Sequence, residues 1–321
     1  MAARDNAAPN HRLPQFSPAR SILFLKGVNP GFNEDQLDIA RNLRVGRITG
    51  EFVDELVAAG LADAAQLAHG LSVYIEFAGT TSTADLMYPQ RLATALAINS
   101  DLAVHGAVHI IDDLGEPRSI VGTPLPPTDW HIHWGHRPDA LTREEIVGAL
   151  ALEAGIKTVQ LTDRYHRVGN ALLFYMNGYN SDNPDLALIA FATCLEGLFS
   201  TVEQEISFRL ALRLAQFLGE SKADRRSKFE QCREVYKVRS KVVHGAPVLK
   251  GSEAAAIYLV ETIVPEAEKL ARTGLRKIFA LHLETLFDQP NKVEALFEAL
   301  LFEESLESAL AEIRGMAARR G

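Results

Sequence analysis

Apolar positions along this chain change their period near residue 140. Before it the apolar runs are short. Ser21-Ile22-Leu23-Phe24-Leu25 and the stretch from Leu71 to Phe77 have the length and composition of strands, and Ala107 to Asp113, the turn Leu114-Gly115-Glu116-Pro117 and Arg118 to Val121 read as a hairpin. Residues 33–43, 50–61 and 89–102 space their apolar side chains for short helices. These elements predict an α+β module over residues 21–140, a domain with room for a ligand or partner of its own. Residues 1–20 lack the apolar core of a signal peptide and read as a disordered lead-in. From Gly122 to Pro138 the proline-rich composition is that of a linker or long loop.

After residue 140 the spacing becomes three and four, and residues 141–321 read as all helical. Thr142 and Glu145 have the spacing of a capping box, in which hydroxyl and carboxylate satisfy the first free backbone donors of a helix. Leu161, Tyr165, Val168, Leu172 and Tyr175 recur at helical spacing, and Pro184 is placed to open the next helix, through Phe199. Residues 206–214 fit strand alternation as well, but Ile206, Leu210, Leu214 and Leu218 lie i, i+4 and no turn residue interrupts them, which favours helix. Two further helices are expected, over residues 252–281 with a start or kink at Pro265, and over residues 291–318.

Composition narrows the class. A chain of 321 residues that is 47% hydrophobic and 23% charged has the balance of a globular protein, and no apolar run reaches the ~20 residues of a membrane span. Its two cysteines, Cys194 and Cys232, sit in helical segments as small apolar side chains, so the expected compartment is the cytoplasm.

A net charge of −8 argues against nucleic acid until its distribution is considered. Between Lys222 and Lys241 lie eight basic residues (Lys222, Arg225, Arg226, Lys228, Arg233, Lys237, Arg239, Lys241) against Asp224, Glu230 and Glu234. The acidic excess gathers towards the C-terminus, at Glu294, Glu298, Glu303, Glu304, Glu307 and Glu312. A basic stripe on an acidic protein can hold RNA, with Lys222, Arg225, Arg226, Arg233, Lys237 and Lys241 as candidates, or can be a solvated face laced with intrahelical pairs.

The stripe ends in Tyr236-Lys237-Val238-Arg239-Ser240-Lys241-Val242-Val243-His244-Gly245. An imidazole can exchange a proton near neutral pH, and a guanidinium grips phosphate with forked, charge-assisted hydrogen bonds. Gly245 is a natural stop for the helix. Together with Ala171 to Tyr175, the Asn180 to Pro184 turn, Leu195 to Phe199, Glu205 to Arg213 and Phe217 to Gly219, this motif resembles the Apea-like branch of the HEPN superfamily over residues 155–280.

That resemblance implies a HEPN-like helical bundle acting as a metal-independent endoribonuclease without a cofactor, of the kind found in toxins and antiphage defence proteins. His244 would serve the ribose 2'-hydroxyl as base or the leaving oxygen as acid, Arg239 would neutralise charge on the phosphorane-like transition state, and Ser240 is the polar residue after the arginine. Ser240 and His244 share a helix face, whereas Arg239 lies about 140° from His244 on a straight helix. Convergence then needs a bend or a second protomer, so a homodimer is expected. The rival expectations are a non-catalytic HEPN module that binds RNA, nucleotide or a protein partner, and an active N-terminal domain for which the bundle is a dimeriser.

Three other constellations receive plainer readings. His131, His133 and His136 are dense enough for a metal, but with no cysteine nearby and no identifiable fourth ligand they read as loop histidines that hydrogen-bond or contact a ligand. Asp112 and Asp113, beside Leu114 and Gly115, read as turn chemistry. Glu196 stands in an apolar helix and is expected to pair with Arg209 or Arg213.

Overall fold

A computed structural model of the chain describes residues 20–26, 29–40, 42–58, 71–78, 88–100, 105–111, 140–160, 167–201, 206–249, 251–303 and 305–318. These fall into two compact units. The first takes the described residues within Met1–Ala93, Val104–Leu125 and Ala140–Arg143, and the second those within Thr94–Ala103 and from Glu144 onward. The division therefore interleaves along the sequence instead of following one cut at residue 140.

The first unit is a five-stranded antiparallel sheet of β1 (Arg20–Lys26), β3 (Gln36–Ala40), β4 (Leu43–Arg47), β5 (Val73–Ala78) and β6 (His105–Ile111), in the order β3-β4-β5-β1-β6. Two-residue strands β2 (Asn29–Pro30) and β7 (Ala140–Leu141) pair in parallel as a separate two-stranded sheet. Strand β1 lies between two partners, with Leu23 opposite both Ile75 and Val108, and Ile22 to Leu25 are all buried. Its unbroken apolar run is what a strand covered on both faces requires. Helix α1 (Gly50–Ala58) is capped by Thr49, whose Oγ1 accepts from the Phe52 N–H at 3.2 Å. It places Phe52 flat on Tyr74, centroids 4.0 Å apart, in a core with Ile22, Phe24 and Leu56.

The helix expected over residues 33–43 is not formed. Bends through Asp35 lead instead into the β3–β4 hairpin, with Gln36 opposite Gly46 and a bulge between Asp38 and Ala40. Leu43 and Val45 are buried while Arg44 is exposed, and this period-two burial in β4 outweighs the helical spacing that the short segment also permits. Gly46 is required there: an added Cβ would lie 2.3 Å from Tyr74 Cζ. Gly46→Ala should therefore lower stability by about 1–3 kcal/mol by prising Tyr74 off Phe52, measurable by denaturant unfolding followed in the near-ultraviolet. The strands expected over residues 21–25 and 71–77 are present as β1 and β5, and the first strand of the expected hairpin as β6. Asp112, Asp113, the rest of that hairpin, the lead-in and most of the linker lie outside the described residues.

Helix α2 (Tyr88–Asn99) answers the third expected helix. The second unit is helical: α3 (Arg143–Gln160), α4 (Arg167–Tyr179), α5 (Pro184–Phe199), α6 (Ile206–Leu218), α7 (Lys222–Val243), α8 (Ser252–Tyr258), a π-helical turn over Leu259–Ile263, α9 (Val264–Ala280), α10 (Glu284–Phe287), α11 (Pro290–Phe302) and α12 (Leu306–Ala318). Thr142 precedes α3 directly. Pro184 stands at the first position of α5, and Asn183 caps it by accepting from the Asp185 and Leu186 N–H groups. The kink expected at Pro265 is the π turn just ahead of it. The single helix expected over residues 291–318 is two. Glu303 is extended and Ser305 Oγ accepts from the Ser308 N–H, which starts α12 afresh.

A buried polar knot crosses this unit. Tyr175 donates to Glu268 Oε1 at 2.8 Å, Arg272 Nε pairs with the same carboxylate at 2.9 Å, and Arg272 Nη1 donates to the Ser100 carbonyl at 3.0 Å. Burial, with the Glu268 charge beside it, raises the Tyr175 phenol well above its ordinary range, so it stays a donor. No described helix is long and apolar enough to cross a membrane.

Candidate active site

Helix α7 carries the site. Ser221 caps it by accepting from the Asp224 N–H at 3.1 Å, and Cys232, Val235, Tyr236 and Val238 bury one stripe. The helix runs unbroken to Val243, and His244 is its C-cap. Gly245, at φ 64°, donates to the Val242 carbonyl while the Ala246 N–H reaches Lys241, the paired bonds of a Schellman ending. Glycine is needed at that left-handed position.

The stripe packs on α5, where the Tyr236 hydroxyl donates to the Ala192 carbonyl at 3.1 Å. One turn further along α5 stands Glu196, with Oε1 3.6 Å from Arg239 Nη2; the two side chains are 27% and 29% exposed. At that distance the pair is electrostatic and leaves the guanidinium donors unsaturated. Arg239 Nε is in fact buried with no hydrogen-bond partner. Burial first, and the Glu196 charge second, raise the Tyr236 phenol well above its usual value.

These groups open onto a cleft of about 800 Å³ lined by Glu196, Ser207, Glu230, Arg233, Glu234, Tyr236, Lys237, Arg239 and Ser240. Arg239 and Ser240 thus share one concavity. His244 does not line it: it is exposed at the helix end, and nothing in a single chain bends α7 to bring imidazole and guanidinium together.

Three cations of the basic stripe are paired within the helix. Arg226 pairs with Glu230 at 3.0 Å, Lys228 with Asp224 at 3.5 Å and Lys237 with Glu234 at 2.9 Å. Arg225 Nε donates to the Gly219 carbonyl and Lys241 Nζ to that of Val248. Lys222 is exposed at the helix start. Arg233 is exposed, forms no ion pair among the described residues, and lies over the Phe229 ring at 5.7 Å. The intrahelical pairing that competed with an RNA-binding reading in the sequence is therefore real for three of the eight cations.

The expected partners of Glu196 need correction. Arg213 turns to Glu294, Thr201 and the Phe199 carbonyl, and Arg209 is an exposed residue of α6, so Glu196 is left to Arg239. A carboxylate in an apolar helix with no cation three or four residues away is a signal that its partner is remote. Ser207 gave no such signal. Burial raises both thiols, that of Cys232 to about 12, which makes them inert packing groups. His131, His133 and His136 lie outside the described residues, and among those described no cluster of three or more histidine, cysteine or carboxylate side chains is arranged to hold a metal.

Comparison of the chain with protein-family models, with curated proteins and with solved structures finds no match in any of the three.

Proposed function

We propose that the chain is a metal-independent endoribonuclease of the HEPN type whose complete site is built by two copies. The observation that supports this reading is Arg239: a half-buried guanidinium at the wall of an open cleft, with one donor unpartnered and its carboxylate partner too far for a hydrogen bond. A phosphodiester oxygen in the cleft would give the exposed part of this guanidinium a charge-assisted partner closer than the Glu196 carboxylate at 3.6 Å. Ser240 beside it offers a hydroxyl to the same anion. His244, about 140° around the helix from Arg239, serves a second face, and a two-fold pairing of α7 ends brings each imidazole towards the other copy's arginine.

In that arrangement one His244 takes the proton of the ribose 2'-hydroxyl, the oxygen attacks its own phosphate, the other His244 protonates the departing 5'-oxygen, and Arg239 holds the phosphorane charge. The products carry 2',3'-cyclic phosphate and 5'-hydroxyl ends. Incubation of the purified full chain with total RNA in EDTA tests the reading: cleavage with those ends is expected, and DNA should be inert. Light scattering of the same sample should give twice the 35.2 kDa of one chain. A monomer that cuts RNA would overturn the two-copy site.

The placement of His244 outside the cleft favours a second reading, a module that binds RNA or nucleotide at Arg239 without cutting. Tight binding with no cleavage under any condition would select it.

A further inference from the structure

Phe208 is an exposed aromatic side chain that neither the core nor the proposed chemistry uses. It is 53% exposed on α6, next to Ser207 of the cleft wall. Its ring meets that of Phe229 of α7 in a T-shaped contact, at 5.7 Å and 82°, so its orientation is held while about half of the side chain stays exposed. Arg233 lies over the same Phe229 ring, lines the cleft and has no ion-pair partner among the described residues. Arg209 and Arg226 are exposed on the same two helices. An exposed aromatic ring beside an unpaired guanidinium is the combination that takes a nucleobase on one and the adjoining phosphate on the other.

We infer that Phe208 is a stacking platform for one unpaired base of the RNA and Arg233 the clamp on its phosphate, which makes single-stranded RNA the substrate class. The inference rests on the nuclease reading above and deepens it. Only an unpaired base can present its face to a side chain, because in a duplex both faces are covered by neighbouring pairs. The platform fixes where along the strand the chain engages, and Arg239, lining the same cleft, meets a phosphate a short way along the backbone.

The test uses the full chain and a twelve-nucleotide 2'-O-methyl oligonucleotide carrying one 2-aminopurine, which cannot be cut through its blocked 2'-oxygen and whose fluorescence is quenched on stacking. The wild type should bind it with quenching. Phe208→Ala should weaken binding about 10-fold, as expected for the loss of ~1–3 kcal/mol of stacking, and abolish the quench. Phe208→Leu, which keeps an apolar contact with Phe229 and so guards the fold, should also lose the quench. Phe208→Trp should restore it. Arg233→Gln should reduce the salt slope by about 0.7 of an ion. A blunt RNA duplex should bind no better to wild type than to Phe208→Ala.

If Phe208→Leu binds and quenches like wild type while natural RNA is still cleaved, the platform is wrong and the nuclease stands. Binding and quenching as expected, with no cleavage of natural RNA, refutes the nuclease and keeps the platform. A wild-type chain that binds no oligonucleotide refutes both.

Discussion

His244→Ala should cut RNA about 10²–10⁴ times more slowly than wild type, the usual contribution of a positioned proton-transfer group. The variant should keep its helical content and unfold at the same denaturant concentration, because the side chain is exposed at the end of α7 and packs against none of the buried stripe. Arg239→Ala should lose about 10²–10³-fold, by analogy with the removal of one donor to a developing anion. Arg239→Lys should recover little of it, since an ammonium cannot present the fork that reaches both a phosphate and Glu196. Mixing the two inactive variants gives the sharper readout. A heterodimer of His244→Ala with Arg239→Ala keeps one cross-copy imidazole–arginine pair but only one of the two imidazoles, so with one needed as base and the other as acid its activity should stay well below wild type, and full recovery in the mixture would mean that a single imidazole suffices. Wild-type turnover in a folded His244→Ala protein would remove the imidazole from the mechanism.

Arg272→Ala should lower the stability of the helical unit by about 3–5 kcal/mol in chemical denaturation, the cost of stranding one partner of a buried pair. Glu268 and Arg272 are only 2% and 7% exposed, and the carboxylate left behind would keep the Tyr175 hydroxyl but lose its cation. The Ser100 carbonyl would lose its donor as well. Tyr175→Phe removes one neutral donor and leaves the ion pair intact, so it should cost about 0.5–1.5 kcal/mol. Equal losses for the two variants would mean that the knot is not electrostatic in origin.

The long helices could be read from the chain because each signals its boundary chemically. Asn183 and Pro184 open α5, and His244 and Gly245 close α7. The β3–β4 hairpin could not, because a segment this short accommodates both a helix and strands, and the choice is made by pairing with β5, distant in sequence. The break at Glu303 was hidden likewise, in a stretch whose composition is helical throughout. At the site, Arg239, Ser240 and the neighbouring cations were visible as a motif. Glu196 was legible as a carboxylate wanting a partner, but which arginine answered depended on how α5 packs on α7. Phe208 carries no mark in sequence, since exposure of an aromatic ring is a property of the fold.

The internal pairing of the cleft has a kinetic consequence. Its lining holds Arg233, Lys237 and Arg239 against Glu196, Glu230 and Glu234, so the formal charges cancel. A polyanion several Debye lengths away is therefore drawn in hardly at all, and encounter proceeds near the unsteered rate for macromolecules, ~10⁵–10⁶ M⁻¹s⁻¹. Attraction begins only once the strand is close enough to exchange places with the carboxylates, which makes the cleft discriminate by fit at short range where a uniformly basic groove would gather any nucleic acid that passed.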